Sequence, residues 1–359
     1  MGLVIGRNLA CGLACLALTA MSSSSMLAQR SPGGDGPRPS QDTIAPSLNT
    51  RLLALERAQG VLFSALIAGT GKVDESAVLQ RMTRQLGETG AAPDLEADKG
   101  FDALGPRGAR TIRRAYAFHR EVVAIYAGRP PSERKVALDA ALRKYQEGPE
   151  PALPDAAKDM SILYDHPYSP FVPPVPPESE PRRKLAYPTL TGFMWAARWY
   201  QLAVLEALEP FGPAVERDRD LATVAARLGS KLPSGSPPYA FPEELPLAPA
   251  IAPGLVSLHD RSASVIDNLN MMLEVLTDVL EHPAVADRRA ALDTVIAQFT
   301  NRQYRCVSTD EWILVALRHS IFAQGGFALA AVTVNERNAF SGVHGQHYGP
   351  RRPPPPCEP

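Results

Sequence analysis

The sequence lacks the motifs that usually mark a catalytic or metal centre. Its 359 residues contain no CxxC or CxxCH pair, no HExxH metal motif, no GxSxG nucleophile motif and no GxxxxGK[ST] phosphate loop. These absences exclude c-type haem attachment and the common zinc, serine-hydrolase and P-loop signatures. Nor does one sign of charge dominate, because 37 basic and 38 acidic side chains give a net charge of −1. A field that attracts nucleic acid is therefore missing, and no nucleic-acid partner is predicted.

Strand patterns are equally scarce, since no stretch sustains the alternation of apolar and polar residues that a half-buried strand needs. Apolar residues recur instead at three- and four-residue spacing, for example along residues 47–68 and 107–127. With 45% hydrophobic and 21% charged residues, the composition is that of a globular protein. The sequence therefore predicts an all-α fold, built as helical bundles of about nine helices.

The first 28 residues have the pattern of a secretory signal. Arg7 gives a short basic region, an apolar stretch runs from Leu9 to Met21, and Met26-Leu27-Ala28 fits a small-residue cleavage site. The apolar run is shorter than the ~20 residues of a membrane-spanning helix. A retained anchor, or a lipoprotein acylated at Cys15, is the alternative. We therefore expect a periplasmic or secreted protein, or one tethered to the membrane through this segment.

Cysteine is rare in the remainder of the chain, where only Cys306 and Cys357 occur. In an oxidising compartment these two cysteines can form one disulfide, which would tie the C-terminal tail to the body of the protein. Two free thiols, or an intermolecular pairing, are the alternatives.

Proline is present in excess, with 35 residues, about twice the usual ~5%. Many of these prolines lie in two belts, Pro167–Pro188 and Pro233–Pro253. Because proline lacks an amide donor and fixes φ, neither belt is expected to form a helix or an interior strand. Apolar residues in and beside the belts favour extended straps lying on a helical surface over free linkers.

The chain is accordingly divided by its composition. A signal peptide or anchor (1–28) and a flexible leader (29–46) precede an N-terminal helical domain (47–165). A proline-rich strap (166–190), central helices (191–231) and a second strap (232–256) lead to a C-terminal helical bundle (257–340) and an irregular tail (341–359).

One segment predicts a central helix, a second predicts a bundle seam, and four helix starts carry a capping pattern. Residues 191–209 are hydrophobic nearly all round, which is typical of a helix buried inside a bundle. Residues 258–279 repeat apolar positions every 3.5 residues, the period of a bundle seam. Asp74, Ser132 and Asp155 can cap helices that follow them, and Ser308 with Glu311 has the spacing of a capping box.

No set of side chains forms a convincing site, and no cofactor or metal ion is predicted. The weak candidates for a binding pocket are Trp195, Trp199, Trp312, His319 and His166. Trp195 and Trp199 lie one helical turn apart and should project from the same face. Burial in the core is the simpler interpretation of the tryptophans and of His319.

The local patterns around the histidines do not predict a site either. His344 and His347 form an HxxH pair, but the glycine-rich tail around them supplies no further ligand for a metal ion. His166 follows Asp165 in a loop next to proline, where a carboxylate could orient the imidazole for general-base chemistry. A hydrogen bond that only fixes the loop is the simpler alternative for that pair.

Two functional hypotheses follow from the sequence. The first is an exported, non-catalytic protein that serves as a structural or accessory subunit of a periplasmic or membrane-associated complex, with protein partners in the cell envelope. The second is a periplasmic ligand-binding protein or enzyme with an aromatic-walled helical pocket, in which His166 or His319 supplies the polar group. Whether the protein is an enzyme stays open at this point, although the missing motifs favour a non-catalytic role.

Overall fold

The structure, a computed structural model, describes residues 44–69, 72–87, 99–163, 165–169, 187–231 and 246–319. Within these ranges the chain forms ten α-helices and two 3₁₀ turns, Asp102–Leu104 and Met160–Leu163. The predicted all-α fold is confirmed. The helices in chain order are α1 (Ile44–Ala68), α2 (Glu75–Gly87), α3 (Gly105–Gly128), α4 (Pro131–Glu147), α5 (Pro188–Ala207), α6 (Ala214–Lys231), α7 (Ala248–Ile251), α8 (Pro253–Glu281), α9 (Arg288–Thr300) and α10 (Thr309–His319).

Helices α5 and α8 form the centre of the bundle, a position that the sequence predicts for α5, whereas for α8 it predicts a packing seam. Helix α8 packs against α1, α3, α4, α5, α7 and α9, and α5 packs against α1, α2, α3, α6, α7 and α8. From Ser262 to Glu281 every side chain of α8 is buried except Glu274, which is half-buried. The predicted seam is therefore part of a helix that is covered on all its faces, because neighbours surround it.

The helix starts confirm two of the four predicted caps. Asp74 Oδ1 accepts a hydrogen bond from the Ala77 amide at 3.1 Å, and Ser308 Oγ accepts one from the Glu311 amide at 3.3 Å. The prediction for Asp155 is wrong, because no helix begins there and its carboxylate accepts a hydrogen bond from Arg261 instead. The prediction for Ser132 is also wrong, because α4 already begins at Pro131. A proline in the first helical position loses no hydrogen bond, since its amide would have had no partner inside the helix.

Most of the two proline belts lies outside the described residues, but the ends of both belts are helical, contrary to the prediction. Pro188 is the first residue of α5, and in the second belt α7 covers Ala248–Ile251 before α8 begins at Pro253. Proline stands in the first turn of each of these helices. Proline breaks a helix in its interior but fits the first turn, because the amide that it lacks would have no partner there. Whether the remaining parts of the belts form straps stays a prediction.

A close backbone approach joins α1 to the turn before α3 and leads to a first testable prediction. A Cβ atom added at Gly100 would lie 2.0 Å from the carbonyl oxygen of Gly60 in α1. Since backbone on both sides would have to move, we expect Gly100→Ala to lower the free energy of unfolding by about 1–3 kcal/mol. Urea denaturation followed by circular dichroism measures the change.

Gly128 provides the matched control, because a Cβ atom added there meets nothing within 4 Å. Gly128→Ala should change the free energy of unfolding by less than about 0.5 kcal/mol. If both variants lost the same free energy of unfolding, the close approach of Gly100 to Gly60 would not be the cause of the loss.

Candidate functional site

A cavity of about 230 Å³ lies between α8, α9 and two irregular segments. Aliphatic side chains from the two helices form part of its wall, and polar side chains from the irregular segments form much of the rest. The lining residues are Ile162, Asp165, His166, Pro167, Tyr168, Val275, Ala291, Thr294, Val295, Gln298, Tyr304 and Arg305. An apolar wall with a few convergent polar groups is typical of a small-molecule site.

His166 is the sequence candidate that the structure places at this cavity. Its Nε2 atom lies 3.2 Å from Asp278 Oδ2, and the two side chains are only 10% and 6% exposed. The partner therefore comes from α8, which is 112 residues away in sequence. The neighbour that the sequence offered, Asp165, instead accepts a hydrogen bond from Arg305 at 2.8 Å. Asp278 thus orients the imidazole from behind the cavity wall.

Arg305 contributes to the cavity from an unusual backbone conformation. Its φ angle is 48°, in the left-handed region that residues other than glycine seldom adopt. Its carbonyl oxygen accepts a hydrogen bond from the Asp159 amide at 2.7 Å, and its guanidinium donates to Asp165 and, at 3.2 Å, to Ser161 Oγ. Such strain persists only where the surroundings hold it, so these contacts fix Arg305 at the cavity rim.

Lys158 anchors the loop that carries Tyr304 and Arg305. Its side chain is buried, and Nζ donates to the carbonyl oxygens of Asn301 and Tyr304 at 2.6 Å each. Burial lowers the pKa of Lys158 to about 7. The backbone amide of Lys158 donates to Asn268 Oδ1 on α8 at 2.9 Å. One lysine therefore ties the loop to the central helix, a role that no pattern in its sequence neighbourhood indicates.

The other sequence candidates lie elsewhere in the chain. Trp199 and Trp312 are buried in the core, Trp195 is half-buried against it, and none of the three lines the cavity described above. The side chain of His319 lies outside the described residues, as do His344 and His347. Cys306 is buried, whereas Cys357 lies outside the described residues, so the disulfide between them stays a prediction.

Trp312 belongs to a buried charge network at the centre of the fold. Its Nε1 atom donates to Asp267 Oδ2 at 3.1 Å, and the Ala248 amide donates to the same oxygen at 2.9 Å. Arg198 on α5 lies 3.8 Å from Asp267 and 3.2 Å from Glu274, both on α8. The network joins α5, α7, α8 and α10. Its groups contact one another inside the core, so its role is to stabilise the fold.

Burial makes this network sensitive to pH. Burial raises the pKa of Asp267 from 3.8 to about 6, although Arg198 and two hydrogen bonds lower it. The folded state then holds a proton that the unfolded state releases above pH ~4, so the stability that Asp267 contributes falls as pH rises toward 6–7. His119, whose pKa burial lowers to about 4, has the opposite effect between pH ~4 and ~6.5.

Comparison with Asp267→Asn isolates the contribution of Asp267 from that of His119. We expect the wild-type free energy of unfolding to fall by about 2–3 kcal/mol relative to Asp267→Asn between pH 4 and pH 7, slightly less than the full shift of about two pKa units, because the unfolded aspartate is already partly ionised at pH 4. Urea denaturation at closely spaced pH values measures the difference. Parallel stability curves would contradict a raised pKa at Asp267.

In the part of the chain that the structure describes, no three or more His, Cys, Asp or Glu side chains are grouped so that they could hold a metal ion. Among the helices of these same ranges, none combines the length and apolar character that crossing a membrane requires. In comparisons with known proteins, no family model, no curated protein and no solved structure matches this chain.

Proposed function

We propose that this chain is an exported, non-catalytic helical protein that binds a small molecule in the cavity beside His166. The observation that carries the proposal is the make-up of the cavity wall. Two fixed polar pairs, His166 with Asp278 and Arg305 with Asp165, accompany aliphatic side chains of α8 and α9 around about 230 Å³. Such a wall combines apolar area, which supplies affinity, with a few oriented polar groups, which supply specificity.

The hydrogen bonds of the wall support binding over catalysis. Thr294 carries the aliphatic hydroxyl among the described lining residues, and it donates to the carbonyl oxygen of Ala290 at 2.8 Å. A nucleophilic hydroxyl would instead donate to a base such as His166. The export part of the proposal is supported by the signal-like pattern of residues 1–28.

A bulky side chain at the rim of the cavity tests the binding proposal. Thr294 and Ala297 are both exposed positions of α9, but only Thr294 lines the cavity. We expect native mass spectrometry of the protein, purified from its own host without denaturant, to show a bound small molecule. The adduct should persist in Ala297→Trp and disappear in Thr294→Trp.

Both tryptophan variants should unfold at nearly the wild-type temperature, because an exposed helix position tolerates a large side chain. A protein that carries no small molecule in any of the three forms would contradict the proposed function.

A second candidate function is favoured by exposed apolar side chains at the start of α6. Phe211 and Val215 are 40% and 73% exposed, and the guanidinium of Arg217 stacks on the Phe211 ring at 5.4 Å. A partner protein that covered these two apolar side chains would remove their surface from water, which is favourable. We therefore propose, as the alternative role, an accessory subunit of a periplasmic or membrane-associated complex in the cell envelope.

Affinity purification from native membranes and periplasm tests the alternative role. We expect an envelope protein to co-purify with the wild-type chain and to be lost with Val215→Glu. Val136→Glu is the control, because Val136 is equally exposed at 73% but lies two residues after the buried Arg134 on α4 and faces away from it. The intact mass from the same sample reports cleavage after Ala28, lipidation, and the redox state of Cys306 and Cys357.

A further inference from the structure

The size of the cavity restricts its ligand to about one ring. The volume is about 230 Å³, whereas a closed apolar cavity of ~150 Å³ is sufficient for benzene. A molecule with one six-membered ring and one or two small substituents therefore fits inside the cavity, whereas a nucleotide or a disaccharide would extend beyond it.

The charged groups around the cavity already have partners. His166 contacts Asp278 at 3.2 Å and Arg305 contacts Asp165 at 2.8 Å. Behind the wall, Nζ of Lys158 is held by two carbonyl oxygens. Because a neighbouring group already balances each of these charges, a ligand with a net charge would find no net counter-charge inside the cavity and would still lose its hydration. Among the described lining residues, the arrangement therefore disfavours both anions and cations.

One helix face supplies polar groups to which an uncharged ligand can bind. Because the Thr294 hydroxyl donates to Ala290, its oxygen keeps its capacity to accept a hydrogen bond. Gln298 follows one turn later on the same face of α9, and its amide can both donate and accept. Val275 and Val295 give the cavity its apolar wall. The wall thus suits a molecule with an apolar ring and a hydroxyl group.

We infer that the cavity selects an uncharged, single-ring molecule with a hydroxyl substituent, a phenol-like ligand. The inference rests on the proposed binding function and specifies the chemical class of its ligand. The apolar ring lies against Val275 and Val295, and the hydroxyl donates to Thr294 Oγ1 and exchanges hydrogen bonds with Gln298.

Three probes of similar size and different charge test the inference. Phenol is neutral at pH 7, benzoate is an anion and benzylamine is a cation. Each is titrated into the full-length wild-type protein and followed by two-dimensional NMR. We expect saturable binding of phenol, with the largest shifts on α8 and α9, and at least about tenfold weaker binding of benzoate and benzylamine. Ala297→Trp should keep phenol binding, and Thr294→Trp should abolish it.

The outcomes separate this inference from the proposed function. Tighter binding of benzoate or benzylamine, or the absence of saturable phenol binding, overturns the phenol-like class. If native mass spectrometry still finds an adduct that Thr294→Trp removes, the binding function stands with a ligand of another class. If neither the adduct nor any probe is detected, both the inference and the binding function are overturned.

Discussion

Replacing Arg198 with methionine is expected to lower the free energy of unfolding by about 3–5 kcal/mol, enough to remove a large part of the stability of a typical domain. Arg198 is the cation of the central network, with a side chain only 3% exposed, beside Asp267, which is fully buried. Methionine keeps most of the volume but leaves Asp267 and Glu274 in the core without a counter-charge. Urea denaturation at pH 7 measures the loss.

Arg289→Met is the matched control for this prediction. Arg289 also pairs with a carboxylate, Asp293, at 3.0 Å, but both side chains are about half exposed. An exposed pair of this kind contributes little, so the loss should stay below about 1 kcal/mol. If the two arginine variants lost equal stability, the Arg198 network would not be a buried charge cluster.

A triple variant separates the effect of charge from the effect of packing. Combining Arg198→Met with Asp267→Asn and Glu274→Gln removes the uncompensated charges while it keeps the shape of the side chains. We expect this variant to recover more than half of the lost stability. Leaving a buried charge without its partner destabilises a protein more than removing both charges does. A triple variant that is no more stable than Arg198→Met alone would contradict the electrostatic explanation.

The parts of the fold that the sequence predicted are those set by local periodicity. The apolar stretch at α5 predicted central burial and the seven-residue repeat in α8 predicted a packing seam, and both helices pack against six others. Capping at Asp74 and Ser308 was also predictable, because the acceptor and the amide it binds are only three residues apart. Local hydrogen bonds leave a signature in a single sequence, since both partners are visible together.

The candidate site could not be assembled in the same way, because its partners are far apart in sequence. His166 was visible as a candidate, but its partner Asp278 lies on α8, more than a hundred residues away. Asp165 is the nearest carboxylate in the sequence, but it accepts a hydrogen bond from Arg305 instead. Only the packing of the chain decides which of several carboxylates a histidine meets.

Buried cations were missed for a related reason. Arg134 and Lys158 are each at most 1% exposed, yet both lie in polar stretches that a sequence reader assigns to the surface. Charged residues are seldom fully buried unless they are paired, so a sequence analysis places them on the surface, which is wrong at these two positions. Their partners are mainly backbone carbonyl oxygens, which any sequence provides everywhere and which therefore give no signal.

Arg134 leads to the second large effect that we expect. Its guanidinium donates to the carbonyl oxygens of Tyr126, Leu208 and Glu209 at 3.0–3.1 Å, near the C-terminal ends of α3 and α5. It also stacks on the Tyr126 ring at 4.5 Å. One side chain therefore satisfies the last carbonyl groups of two helices, which otherwise lack partners. Arg134→Met should lower the free energy of unfolding by about 3 kcal/mol or more.

Arg134→Lys and Lys135→Met distinguish geometry from charge. Lysine keeps the positive charge but has a single nitrogen, which cannot reach the carbonyl groups of two helices at once. We therefore expect Arg134→Lys to recover less than half of the loss seen with methionine. Lys135 is the exposed neighbour on α4, and Lys135→Met should change the free energy of unfolding by less than about 0.5 kcal/mol. Full recovery by lysine would mean that charge alone, rather than the planar array of donors, joins α3 to α5.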